Sequence, residues 1–288
     1  HTLQVETPLE KAVCKKLRHD RDVVLGQPKE RPPILLGTTP LSGRPVVVGL
    51  GPAGLFAALA LARHGYRPLV LERGRDVEQR SRDVAEFWQT GRLNPASNVQ
   101  FGEGGAGTFS DGKLTTRVNH PRIPELLEIM VEAGAPPEIA YLHKPHVGTD
   151  LLRLVVKNLR EEIKRLGGEV RFEHQVTDLQ VTEGRVAAVE INGQEREDCA
   201  AVLLGIGHSA RDTYTMLQAR GAAMEAKPFA IGLRIEHPQE VLDQAQYGAA
   251  AGHPRLGAAD YALVYHHPSN GRTAYSFCMC PGGLVIAS

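Results

Sequence analysis

The sequence is short of the residues that mark several protein classes. Its four cysteines, Cys14, Cys199, Cys278 and Cys280, are too few and too irregularly spaced for a disulfide scaffold. Aromatic residues make up 5% of the chain. Neither sign of charge is in excess, with 33 Lys and Arg against 33 Asp and Glu, so no basic stripe points to nucleic acid. Long apolar runs are missing too. The longest, 55–62, is a helical core stretch far shorter than a membrane span, and the first residues do not resemble a signal peptide. These absences leave a cytoplasmic globular protein as the expectation, with a small-molecule substrate and neither nucleic acid nor membrane as partner. A metal site is not expected: beside Cys278 and Cys280 only His266 and His267 lie near in sequence. The two cysteines read as core thiols.

What is present is organised in three parts. Residues 1–43 read as an appendage, a short helix with Thr7 as its cap and a Pro- and Gly-rich linker. From Val46 the pattern becomes apolar strand, glycine turn, alanine-rich helix to His64, and second strand 68–71, a unit that in parallel sheets carries a right-handed crossover. A less regular excursion follows over 75–148, with helices in 76–88 and 122–134. Asp150 is then expected to cap a long amphipathic helix whose Leu151, Leu154, Val155, Leu159 and Ile163 share one face. Beyond it, 169–172, 175–184, 185–193 and 200–207 read as a meander followed by a buried strand, with turn signals at Glu183-Gly184 and Asn192-Gly193. A strand-like segment, 227–238, opens a further region over 221–288, and 282–288 reads as a strand just under way. The chain is therefore expected to lack carboxy-terminal sequence.

Gly49, Gly51 and Gly54 form GxGxxG between a strand and a helix. The first permits the tight turn, the second lets backbone approach a pyrophosphate, and the third lets helix and strand pack closely. The helix N-terminus adds amide donors and a partial positive charge. Ala58 and Ala62 are small where the helix meets the sheet, and Gly65 closes it. Glu72 ends the second strand, where a carboxylate accepts from both ribose hydroxyls and disfavours a 2′-phosphate. That pattern fits FAD or NAD. A second glycine cluster has five glycines in the eleven residues 102–112. It is costly in backbone entropy, and it favours FAD, whose ribityl and isoalloxazine need close backbone approach.

The runs VVVGLGPAGLFAALALARHG…LVLERG, NVQFGEGGAGTFSDGKLTTR, KPHVGTDLL, GIGHSARDT and KPFAIGLRIEHP together resemble the uncharacterised bacterial FAD-dependent dehydrogenases, relatives of the glutathione-reductase-like flavoproteins. The similarity covers about residues 44–288. It implies an α/β fold, a three-layer Rossmann-like FAD/NAD(P)-binding domain over 44–220 with a parallel sheet and an antiparallel β-meander, and the start of a substrate domain over 221–288. By the same resemblance Gly49, Gly51, Pro52, Ala53 and Gly54 hold the pyrophosphate, Glu72 the AMP ribose, and Arg73 flanks the adenosine. Gly105, Ala106, Gly107, Ser110, Asp111 and Lys113 lie along ribityl and flavin, Val176 meets adenine through backbone, and Gly207 closes a second turn on the FAD. Relatives of this group carry a fuller N-terminal domain and finish the site with a late Gly-Asp turn, neither of which this sequence supplies.

The implied activity is an FAD-dependent oxidoreductase moving a hydride between an organic substrate and flavin, with NAD(P)H a possible electron donor. The alternatives are a non-catalytic FAD/NAD-binding module and an NAD-only dehydrogenase. Candidate chemical groups are His208 as proton donor, Arg211 as anion clamp and Lys113 beside the flavin. His208 and Arg211 serve equally well as pins for the loop after the strand, and Lys113 as a helix cap. His146 reads as structural.

Overall fold

The computed structural model describes residues 7–23, 26, 33–35, 37–109, 114, 118–141, 147–277, 279 and 285. A short helix, α1 (Glu10–Lys16), precedes the main body and buries none of its residues. Thr7 does not occupy its cap position. Leu9 does, and the Thr7 hydroxyl accepts from the Leu9 amide instead. The body then runs β1 (Pro45–Val48), α2 (Pro52–Arg63), β2 (Leu69–Leu71), α3 (Val77–Thr90), α4 (Ile123–Glu132), α5 (Thr149–Arg165) and β3 (Glu169–Arg171). After these come β4 (Val176–Thr182), β5 (Arg185–Ile191), β6 (Glu195–Asp198), β7 (Ala201–Leu204) and α6 (Arg211–Ala219). The last elements are α7 (Gln239–Tyr247), β8 (Val264–His266) and β9 (Thr273–Tyr275).

The architecture is α/β in three layers. A parallel sheet in the order β3-β2-β1-β7 lies in the middle. Alternation along β1 sends its side chains to two different cores. Val47 joins Val70, residues of α2 such as Leu55, Ala58 and Leu59, and residues of α5 such as Val155, Leu159 and Ile163. Val46 and Val48 join Leu69 and Leu71 against Val176, Leu179, Val189 and Ile191 of the antiparallel sheet β4-β5-β6. Burial on both faces is why β1 is a continuous apolar run rather than an alternating one. Each such side chain contributes about 1.5–3 kcal/mol of transfer free energy.

Local chemistry fixes the ends of these elements. At the end of α2 the Gly65 amide bonds to Ala62 O and the Tyr66 amide to Leu61 O, with Gly65 at φ +82°, a Schellman termination that needs the left-handed residue. The two-residue link between β4 and β5, Glu183-Gly184, has positive φ at both positions, as the hairpin turn demands.

Besides Thr7, four sequence expectations change. Segment 169–172 is not part of the meander: β3 is the edge of the parallel sheet beside β2. Asp150 does not cap α5; Gly148 holds that position and Asp150 falls in the first turn, where a carboxylate still complements the helix dipole. The buried face of α5 is Val155, Val156, Leu159, Arg160 and Ile163, while Leu151 and Leu154 are largely exposed. Among the described residues segment 227–238 pairs with no strand, and Phe229, Ile231, Leu233 and Ile235 stand exposed. Segment 282–288 lies almost wholly outside the described residues, as do Cys278, Cys280 and His146. Among the described residues no helix is long and apolar enough to cross a membrane.

Candidate functional site

The chain leaves β1 for β2 and β3 on one side and returns as β7 on the other, so the strand order reverses at β1. Open α/β sheets bind ligands at such a switch point, beyond the carboxyl ends of the strands. A cavity of about 350 Å³ opens there, walled by the turn after β1, the ends of β2 and β7, residues 100–106 and the beginning of α6.

Backbone forms its floor. A Cβ on Gly54 would stand 1.8 Å from Gly49 O, so the turn and the first turn of α2 touch directly. Gly51, at the N-cap of α2, is different: a Cβ there would meet only the Gly105 Cα at 3.7 Å. It would project into the space between two glycine segments, a cradle kept open by missing side chains. The first amides of α2, which have no intrahelical acceptor, lie beside it. The described backbone therefore fits an anionic dinucleotide, with room for phosphate at residues 49–54 and 105–106.

Glu72 is 4% exposed, and its carboxylate organises three segments. Oε2 accepts from the Leu50 amide at 2.7 Å, and Oε1 from the Gly74 and Gly102 amides at 2.8 and 3.0 Å. A carboxylate has about four acceptor directions. Most of this one's capacity holds protein backbone, leaving one acceptor direction in the cavity wall it lines.

Arg73 lines the cavity with its guanidinium 4.4 Å above the Phe101 ring. Its Nη2 donates to Asp212 Oδ2 and Oδ1 at 2.8 and 3.0 Å and to Thr213 Oγ1 at 3.2 Å. Gln175 Nε2 donates to the same Asp212 carboxylate at 2.7 Å. Partial burial works against the charged form of Asp212, yet the Arg73 bond and the Thr213 amide hold its pKa below the ordinary value. This clasp joins β2, the approach to β4, and α6.

Of the other sequence-derived residues, Pro52, Ala53, Gly105, Ala106, Val176 and Gly207 line the cavity, whereas Gly54 lies beneath its floor and Gly107 outside its wall. His208 lines it with Nδ1 2.9 Å from Ser209 Oγ, which donates to Gln100 Oε1 at 3.2 Å. Arg211 begins α6 and lies outside the wall. Ser110, Asp111 and Lys113 lie outside the described residues.

Sequence reasoning missed two buried charges behind the glycine segment. Arg80 and Glu103 are both fully buried. Glu103 Oε2 accepts from the Val77 amide at 2.7 Å and from Arg160 Nη1 at 2.8 Å, while Oε1 meets no partner. Burial lifts its pKa from 4.5 to about 7, against the pull of Arg160 and the Val77 amide. Burial likewise pulls Arg80 down to about 10, while Glu72 and Glu103 hold it up, so it stays charged at neutral pH. A signal existed: Val77, Arg80 and Val84 fall on one buried stripe of α3, and a charge on an apolar stripe marks an internal polar contact.

Residues 228–288 match the family described as FAD-dependent protein, C-terminal domain-like. An uncharacterized protein of Clostridium beijerinckii is 54% identical over 281 residues, which are 96% of this chain and 52% of that protein. The FAD-dependent monooxygenase nodY2 of Hypoxylon pulicicidum is 28% identical over 201 residues, 66% of this chain and 41% of that one. The chain thus spans about half the length of these relatives. Among solved structures, L-proline dehydrogenase from P. horikoshii aligns with TM-score 0.42 and 13% identity, over 65% of this chain and 58% of that one.

Proposed function

We propose that the cavity at the switch point holds the adenosine and pyrophosphate of FAD, and that the protein belongs to a flavin-dependent oxidoreductase. The carrying observation is the backbone cradle between Gly51 and Gly105 beside the start of α2, where main-chain amides rather than cations face the ligand. The family matched by residues 228–288, FAD-dependent by its description, and the FAD-dependent monooxygenase among the relatives support flavin over nicotinamide dinucleotide. Bound FAD would supply hydride acceptance and donation.

In this reading residues 49–54 and 105–106 cradle phosphate, Glu72 turns its remaining acceptor direction to the ribose, and Val176 meets adenine through its backbone. Arg73 and Phe101 flank the adenosine side. Ser110, Asp111 and Lys113 continue along the ribityl and flavin, as the resemblance implies. His208 stands at the end of β7, beside the glycine turn: β7 pairs with β1 through Val48 and Leu204. That placement supports contact with the phosphate–ribose part and not proton transfer at the reacting carbon. Arg211, outside the wall, supports the fold of that turn. The substrate is a small organic hydride donor or acceptor, and NAD(P)H is a candidate reductant.

The test is to purify the protein, release any bound cofactor by denaturation, and identify it by mass and visible absorbance. The apoprotein is then titrated with FAD and with NAD. FAD bound tightly, with bleaching under an anaerobic hydride donor, is the expected outcome. Uptake of NAD alone, or no uptake of FAD in excess, overturns the reading.

A further inference from the structure

We infer that Arg80 is the positioning residue of the cofactor cavity: its guanidinium presets the path of residues 98–105, which form one wall of that cavity. This role rests on the FAD reading for its ligand.

A glycine-rich segment has few side chains with which to pack, so something else must choose its path among many. Here the choice is made by donors. Arg80 Nε donates to Asn98 O at 2.8 Å, and Nη2 donates to Val99 O and Gly105 O, both at 2.9 Å. Nη1 donates to Glu103 O at 2.5 Å and Gly102 O at 3.4 Å. The carbonyls that converge on this one group come from five residues within an eight-residue stretch. The face of the guanidinium lies 4.8 Å from the Phe109 ring centroid, which closes the remaining side.

The fit is mutual. Gly102 has φ +119°, and a Cβ on it would stand 2.4 Å from Arg80 Cδ, so the segment omits a side chain where the arginine stem passes. The opposite surface of the same segment lines the cavity through Gln100, Phe101, Gly102, Gly105 and Ala106. Arg80 itself touches no cavity space. It acts on a ligand only through the wall.

Lysine cannot replace it. A planar fork carries five N–H donors in fixed directions, whereas an ammonium offers three from one point. Substitution by Lys keeps the charge and leaves carbonyls on opposite sides of the group without donors.

The experiment compares the wild type with Arg80→Lys and with Ile163→Ala, which opens a cavity in the core cluster between α2, α5 and the parallel sheet, lines no part of the cofactor cavity and serves as a stability control. Each is measured for FAD dissociation constant by flavin fluorescence and for unfolding by urea. Arg80→Lys is expected to weaken FAD on the order of tenfold or more at temperatures where it remains folded, while Ile163→Ala loses stability with its FAD affinity unchanged. Equal FAD affinity in folded Arg80→Lys and wild type overturns the inference. A measurement on the wild type stands independently of how the variant folds. Amide exchange over 98–105 should be slow in the FAD-free protein as well as in the FAD-bound one. A segment that exchanges freely until FAD is added is ordered by cofactor and not by Arg80, which also overturns it. If the wild type takes up no FAD, the functional reading has failed, and exchange over 98–105 in wild type against Arg80→Lys still decides the role of Arg80.

Discussion

Raising the pH should weaken this fold through one carboxyl, Glu103. The side chain is fully buried, with Oε2 held by Arg160 and the Val77 amide and Oε1 without a partner. Burial dominates, and the pKa rises from 4.5 to about 7. The folded protein therefore keeps this proton where the unfolded chain has released it. Stability is greatest below the unfolded value, falls as pH rises through the window from 4.5 to about 7, and is flat above it. The full displacement corresponds to about 3 kcal/mol, most of which falls between roughly pH 5 and pH 8. Carboxylates such as Glu78, Glu169 and Asp178, held down by Lys157, Arg171 and Arg220, act with the opposite sign and at lower pH. The comparison is therefore with Glu103→Gln, which keeps the shape and cannot titrate. Urea unfolding across this pH range should show wild type losing about 2–3 kcal/mol relative to the variant. Parallel profiles would refute the argument, because they would mean that Glu103 is ionised at no cost and that its unpartnered oxygen is solvated.

The glycines separate folding from binding. Gly54→Ala places a Cβ 1.8 Å from Gly49 O, with rigid backbone on both sides, so it should cost more than about 3 kcal/mol in urea unfolding; an unchanged midpoint would contradict the close contact. Gly51→Ala meets only an ordinary contact and should leave the unfolding midpoint in place while FAD affinity, read by fluorescence titration, falls on the order of tenfold or more. Glu72→Gln turns an acceptor oxygen into a donor facing backbone amides and should cost about 2–3 kcal/mol at neutral pH, checked by thermal unfolding. Asp212→Asn loosens a half-exposed pair with Arg73 and should cost less than about 1 kcal/mol, with its effect appearing in AMP affinity instead.

How far the sequence speaks depends on how local the determinant is. The β1–α2–β2 unit was legible because its signals lie within thirty residues: apolar run, glycine turn, small helix face, Gly65 and Glu72. The two-sided burial of β1 follows from its three consecutive valines. Pairing across long separations was not legible. The short segment that became β3 has the composition of any edge strand, and only its packing beneath α5 places it beside β2. Segment 227–238 has the alternation of a strand, but periodicity supplies a face and not a neighbour, and among the described residues none pairs with it. His208 was named for its chemistry, and the structure places it in the cavity wall beside Ser209 and Gln100.

The deeper misses share one cause. Arg80 went unseen, and Glu72 was seen only as a ligand for ribose, because their partners in the protein are main-chain atoms, which leave no mark in a sequence. The second glycine cluster reads from sequence as freedom of the backbone. In the structure that freedom has been removed, because carbonyls of 98, 99, 102, 103 and 105 converge on one guanidinium and the amides of 50, 74 and 102 on one carboxylate. Burying such charges is costly unless each finds several well-aligned partners, and a bare glycine segment is well suited to provide them, since nothing shields its peptide groups. At Gly102 and Gly105 a wall built this way presents backbone to the cavity, while its carbonyls are spent on the side facing the protein. It can therefore approach a phosphate or a ribityl chain closely while remaining rigid, which glycine content alone would not achieve.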